Sequence, residues 1–234
     1  MTALEPTCWL PAGTEPFPEI VPLLGSVLAV YRMNIAEFEG QETGLLNLVA
    51  AEERARAGRY LHRSDRARFL VGRACLRVLL GRLLQCPPTA VPLVLSAFGK
   101  PQLAPPATVQ FNLAHSGTWV LLAAGSRTVG IDVEKIEPDF NFAAVTTHSF
   151  STAEQEEIHQ AAGPQAAFYA RWTQHEARAK AVGHGLLGSL PANQAAEWTV
   201  LSLDVAPGYA AALAYPSSWR PVLQYRTCDV GLIG

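Results

Sequence analysis

Apolar and polar positions along this chain switch several times between a two-residue and a 3.6-residue period, so strands and helices alternate in blocks. Val27 to Ile35 (VLAVYRMNI) predicts a strand, and Leu45 to Tyr60 a helix with Glu52, Glu53, Arg54 and Arg56 exposed. Ser64 is placed to cap the next helix, which runs to about Leu84. Phe69, Leu76, Leu80 and Leu83 fall on one side of it and Arg66, Arg73 and Arg77 on the other. Cys86-Pro87-Pro88 stops that helix. Strands at Leu93–Leu95 and Val109–Leu113 flank a turn at Gly99-Lys100-Pro101, and Trp119–Ala124 with Thr128–Glu134 predict a hairpin around Gly125-Ser126-Arg127. Ser151-Thr152-Ala153-Glu154 is a capping box. A longer helix from about Gln165 to Ala181 ends at a C′ glycine, Gly183, and strands return between Trp198 and about Tyr225. Residues 1–24, with five prolines, predict an extended surface arm. The order predicts an α+β protein of two halves, 1–126 and 127–234, meeting near residues 125–128.

Two segments concentrate the chemistry. In Val129-Gly130-Ile131-Asp132-Val133-Glu134-Lys135, the strand alternation puts Asp132 and Glu134 on one face and Ile131 and Val133 on the core face. In the helix Trp172–Lys180, Trp172, Glu176 and Lys180 fall at i, i+4 and i+8. If the two elements pack together, three carboxylates and an ammonium converge, an arrangement suited to a hard metal and a phosphate. Taken alone, Glu176 and Lys180 are the commonest kind of surface helix pair, worth roughly 0.2–0.5 kcal/mol; it is their company that favours a site. Trp172 is expected to be a core anchor, and Asn112 and Trp119 to be structural.

Composition narrows the class. The 49% hydrophobic and 16% charged content of the 234 residues indicates a folded protein. A net charge of −2 offers no general attraction to nucleic acid or an anionic membrane, so phosphate recognition has to be local. Cys8, Cys75, Cys86 and Cys228 lie too far apart for a zinc pattern. No charged-then-apolar leader and no apolar stretch of roughly eighteen residues is visible, so a cytoplasmic location is expected.

Phe111-Asn112-Leu113-Ala114-His115-Ser116-Gly117 places His115 at a strand–turn edge, downstream of Gly99-Lys100-Pro101. With Asp132, Glu134, Glu176 and Lys180 these segments, in this order, resemble the Sfp-type 4′-phosphopantetheinyl transferases over roughly residues 50–190. That family's hallmarks are a Gly-Lys-Pro turn, Asn-x-Ser-His, Gly-(Ile/Val)-Asp-x-Glu and Trp-x-x-Lys-Glu-Ala-x-x-Lys. The resemblance implies a pseudo-twofold fold that binds coenzyme A (CoA) at the junction of its halves. It implies transfer of phosphopantetheine to a serine of an acyl or peptidyl carrier protein, with release of 3′,5′-ADP. It assigns Asp132, Glu134 and Glu176 to Mg²⁺ (Mn²⁺ as an alternative), Glu176 and Lys180 to catalysis, and Arg56, Arg68, Lys100, Pro101, His115 and Lys180 to CoA. A monomer is expected, and the net charge gives it no nucleic-acid or membrane partner. The chain departs from the pattern at His175, where the family has lysine, and at Ala114, where it has serine. Those departures keep a catalytically impaired CoA-binding protein in view as the alternative. Metal-dependent phosphohydrolysis would want more Asp and His ligands than appear. Arg66, Arg73 and Arg77 are expected to form either a wet helix face or a basic patch for an acidic carrier.

Overall fold

The computed structural model describes residues 7–10, 26–96, 99–183 and 197–232. Most of the expected arm over residues 1–24 therefore lies outside the described residues, as does His184. In chain order the elements are β1 (Val27–Asn34), α1 (Glu42–Leu48), α2 (Ala51–Ala57), α3 (Arg63–Leu84), β2 (Leu93–Leu95), β3 (Pro101–Leu103), β4 (Gln110–Ser116), β5 (Trp119–Gly125) and β6 (Gly130–Lys135). There follow α4 (Ala143–Ser149), α5 (Thr152–Gln160), α6 (Pro164–Val182), β7 (Trp198–Ser202), β8 (Tyr209–Pro216) and β9 (Val222–Cys228).

The strands form a sheet of order β4-β5-β1-β9, a second of order β6-β8-β7, and a short β2–β3 pair. Alternation along β1 explains the layering. Val27, Ala29, Tyr31 and Met33 face the core under α3, whereas Leu28 and Val30 face a core shared with Ile131, Val133 and Leu213 of the second sheet. On the far side of the second sheet, Ala212 and Ala214 meet Ala177 and Ala181 of α6. Each sheet is thus backed by one long helix, and the two sheets pack face to face, with β9 of the second half completing the first sheet. That is the mixed α+β arrangement of two halves expected from the element order, and it is consistent with the pseudo-twofold fold that the resemblance implies.

Three local expectations are corrected. The helix expected over Leu45–Tyr60 is two helices, because Val49 and Ala50 are extended and Glu53 turns back to accept a hydrogen bond from the Ala50 amide at 3.1 Å, opening α2 afresh. α3 begins after His62, so Ser64 lies inside the first turn and caps nothing. Trp119–Gly125 and Gly130–Lys135 are not a hairpin: β5 pairs with β4 and β1, and β6 pairs with β8. The turn exists, but it carries the chain from one sheet to the other, because the apolar face of β6 is buried between the sheets. The capping box at Ser151 and the C-cap Gly183, at φ +82°, stand where the sequence predicts them.

Candidate active site

Two side chains of β4 hold the acidic strand β6 in place. Asn112 Oδ1 accepts the Ile131 amide at 2.8 Å, a buried bond between the edges of the two sheets. Four residues on, Ser116 Oγ accepts the Lys135 amide at 3.0 Å and donates to Glu134 Oε2 at 2.8 Å. The matched offset means β4 and β6 run side by side in the same direction, joined by side chains instead of a backbone ladder. Asn112 is structural, as its position predicts.

Gly130 sets the distance to α6. A Cβ there would overlap the Ala177 carbonyl oxygen and stand 2.5 Å from the Ala181 nitrogen, so only glycine admits the helix at this height. The close approach brings Lys180 Nζ to 2.5 Å from Asp132 Oδ1. Asp132 is only 3% exposed, and its Oδ2 has no hydrogen-bond partner. Glu176, 8% exposed, is held up to about 7, first by burial and then by the charge on Asp132, against the pull of Lys180. Burial likewise raises Glu134, with the Asp132 charge adding to it. On the far side of Lys180, Lys100 Nζ donates to the Lys180 carbonyl oxygen at 2.7 Å. Burial, and then the Lys180 charge, lower Lys100 to about 8.

These groups border a cavity of about 260 Å³. Asp132, Glu134 and Lys180 line one side of it, and Arg56, Tyr60, Phe69 and Arg73 another, with Pro101, Leu113, Ala114 and His115 between. The wall therefore draws on both halves of the molecule. His115 sits at the exposed end of β4, its basicity lowered by the protein around it and then by Arg68. Arg68 does not line the cavity; it pairs with Asp65 and donates to the Gly117 carbonyl at 2.6 Å, bracing the β4–β5 turn beside His115. Glu176 stands behind Asp132 and Glu134 instead of on the cavity wall.

Arg73, Tyr60 and Phe69 are site residues that the sequence reading missed. The guanidinium groups of Arg56 and Arg73 lie 5.2 and 5.6 Å from the centre of the Phe69 ring. The signal was available: Arg73 is four residues past Phe69 and so shares its helix face. Arg66, Arg73 and Arg77 do not form a common basic patch. Arg66 pairs with Glu42, while Arg77 is 4% exposed and, with Arg73, grips Glu53. Arg77 also donates to the Pro88 and Val91 carbonyl oxygens at 2.9 and 3.1 Å, which explains how a buried guanidinium is tolerated. His175 turns away from the cavity as well. Its Nε2 lies 2.8 Å from Glu154 Oε1 and its ring stands edge-on to Phe150, so the departure from lysine there tethers α5 to α6. Trp172 stacks on Phe168 in an aromatic cluster, as expected of an anchor.

Comparison with known proteins agrees with this geometry. Residues 128–225 match the model of the 4′-phosphopantetheinyl transferase superfamily, and residues 39–127 match that of the 4′-phosphopantetheinyl transferase N-terminal region. A 4′-phosphopantetheinyl transferase HetI from a Nostoc species is 31% identical over 76% of this chain and 76% of its own length. The chain belongs to the 4′-phosphopantetheinyl transferase superfamily. A Bacillus subtilis 4′-phosphopantetheinyl transferase is 31% identical over 65% of this chain and 67% of its own length. The 4′-phosphopantetheinyl transferase Sfp, from the same species, is 29% identical over 62% of this chain and 64% of its own. This chain, too, is a transferase.

The donor set suits a hard cation. Asp132 Oδ2 is buried without a partner, and three carboxyls repel one another beside a single ammonium, an all-oxygen arrangement that a divalent ion neutralises. Among the described residues, however, no group of three or more His, Cys, Asp or Glu side chains is already gathered closely enough to hold a metal ion. Among those residues, too, no helix is long and apolar enough to cross a membrane.

Proposed function

We propose that this transferase moves 4′-phosphopantetheine from CoA to a serine hydroxyl of an acyl or peptidyl carrier protein, releasing 3′,5′-ADP, with Mg²⁺ or Mn²⁺ as cofactor. The observation that carries this is the cavity itself, with arginine and histidine on one side and Asp132, Glu134 and Lys180 on the other. The reaction needs both sides. The serine Oγ bonds to the phosphorus that carries pantetheine, the bond from that phosphorus to the bridging oxygen breaks, and the ADP oxygen leaves with the electron pair.

Asp132, Glu134 and Glu176 would hold the metal, which supplies charge neutralisation at the diphosphate. Glu176, its carboxyl raised to about 7 by burial, takes the serine proton directly or through a water, and Lys180 neutralises the bridging oxygen as it leaves. Arg56 and Arg73 on the cavity wall, with Lys100 beside Lys180, supply cationic contacts to the CoA phosphates, His115 supplies a neutral hydrogen-bonding imidazole, and Pro101 forms cavity wall. Arg68 acts behind His115. The proposal assigns CoA recognition chiefly to residues 1–126 and the metal and acid–base groups to residues 127–234. It places a monomeric enzyme in the cytoplasm, with no nucleic-acid or membrane partner.

The test is mass spectrometry of an apo carrier protein incubated with CoA and Mg²⁺. Gain of the phosphopantetheine mass, lost with excess chelator, supports transfer. In Asp132→Ala the rate should fall about a thousand-fold with the fold intact, as expected when a buried charge-stabilising group is lost. Tight CoA binding without any mass gain would instead favour a catalytically impaired CoA-binding protein, and CoA breakdown without a carrier would favour hydrolysis.

A further inference from the structure

The cations of α2 and α3 fall into two groups. Arg66, Arg68, Arg73 and Arg77 are each paired with a carboxylate, whereas Arg54, Arg59 and Arg63 around the α2–α3 turn are exposed and, like the cavity-lining Arg56, form no ion pair among the described residues. Amid these unpaired cations, in the turn joining the two helices, Leu61 is 94% exposed. A lone exposed leucine is ordinary. This one directly follows Tyr60, which lines the cavity and packs on Phe69 at 5.4 Å, so an exposed apolar side chain with cations on both sides of it in the chain adjoins a cavity-lining residue.

We propose that this α2–α3 corner docks the carrier protein. Leu61 enters an apolar recess on the partner, and Arg54, Arg59 and Arg63 meet carboxylates around it. The inference rests on the transfer reading above, which requires a serine on a second macromolecule to reach the cavity. Charge selects an acidic protein. Of the nearby carboxylates, Glu53 is held by Arg73 and Arg77 and Asp65 by Arg68, which leaves exposed Glu52 beside the three cations, while α5 presents exposed Glu156, which would repel the same partner. The apolar centre argues for a protein surface over a nucleic acid, whose phosphate backbone offers Leu61 nothing to bury in.

Steady-state transfer to an apo-acyl carrier protein tests this, using Leu61→Asp and a triple variant with glutamine at 54, 59 and 63. All four side chains are exposed, so thermal unfolding should match wild type. Each variant should raise the carrier KM about five-fold or more while leaving kcat and the KM for CoA unchanged. The wild-type carrier KM should rise with salt, and that of the triple variant should rise far less. Carrier KM values within about two-fold of wild type in both variants would overturn the proposal while leaving the transfer reading standing. A rise in the KM for CoA would overturn it too, by assigning these cations to the nucleotide. Inhibition by a duplex oligonucleotide, relieved in the triple variant, would reassign the corner to nucleic acid. If the wild type transfers nothing to any carrier, the transfer reading fails and the docking proposal goes with it.

Discussion

The two sides of the cavity are charged in opposite senses. On the α3 side a single carboxylate, Glu53, stands between Arg73 and Arg77, with Arg56 and His115 nearby on the wall. On the β6–α6 side three carboxyls share Lys180, and Asp132 keeps one oxygen without a partner. The first side is complete within itself and has cations to spare for a phosphate. The second carries more negative charge than the protein neutralises, so it is stable only to the degree that an added cation, or a proton, relieves it. The glycines at the two helix–sheet contacts differ in the same spirit. Gly72 of α3 faces side chains of Leu113 and Val120, whereas Gly130 of β6 faces the backbone of α6.

The largest expected break in this comparison is Gly130→Ala. Backbone cannot yield as a leucine methyl can, so α6 must lift off β6 and carry Glu176 and Lys180 away from Asp132. Urea unfolding should show a loss of about 3 kcal/mol and transfer should collapse. Gly72→Ala is the matched control. Its Cβ would meet Leu113 and Val120 at 3.2 Å, and the gain in helix propensity offsets that crowding, so stability should stay within about 1 kcal/mol of wild type. Equal losses at the two sites would mean that the second half is no more tightly set than the first.

Removing one carboxylate from each side should give effects of opposite sign. Glu53→Gln leaves the buried Arg77 charge uncompensated and should cost about 2 kcal/mol. Glu176→Gln, in metal-free protein at pH 8, relieves repulsion from Asp132 and Glu134 and should stabilise by about 1 kcal/mol, while abolishing transfer. Chemical unfolding with chelator present measures both, and destabilisation by Glu176→Gln would contradict the charge imbalance.

The smallest expected effect concerns Lys100. With its amine lowered to about 8, it is charged at pH 7 and largely neutral at pH 9. Affinity for CoA should therefore weaken about three- to ten-fold over that interval at constant ionic strength, and Lys100→Arg should flatten the dependence. Folding stability should move the other way. Between pH 8 and the ordinary lysine range the unfolded chain binds more protons than the native one, so this group makes stability rise with pH. Calorimetry with wild type and Lys100→Arg at both pH values separates the ligand effect from the folding effect.

Much of this arrangement was legible before any coordinates, and what was not has physical reasons. The Asp132–Glu134 face needs only the two-residue period of a strand. The Glu176–Lys180 face needs only a helix, bounded by Gly183 at its end. Where β6 goes was not legible, because the turn at Gly125-Ser126-Arg127 serves equally well for a hairpin and for a crossing between sheets; the partner strand β8 comes about eighty residues later. The break between α1 and α2 was hidden because Glu53 fits a continuous helix as well as it fits the start of a new one. The role of His175 depended on α5 supplying Glu154, which no spacing within α6 reveals. Arg77 was misplaced for a related reason, since a guanidinium that finds Glu53 and two carbonyls can be buried where composition predicts water.

The final strand has a consequence for how the molecule is made. β9 pairs in parallel with β1, from Val27 opposite Val222 to Met33 opposite Cys228, so the first sheet is completed by a segment almost two hundred residues downstream. During synthesis β1 waits with an open edge until Val222–Cys228 has emerged. Residues 1–126 expressed alone would keep that edge bare, a template for pairing with other copies. Folding of the two halves is therefore coupled through a long closure, which is slow by comparison with local pairing. Enzyme made in cells with limited chaperone capacity should be lost to aggregation chiefly before β9 has emerged, and a permutant that moves β9 ahead of β1 should escape that loss.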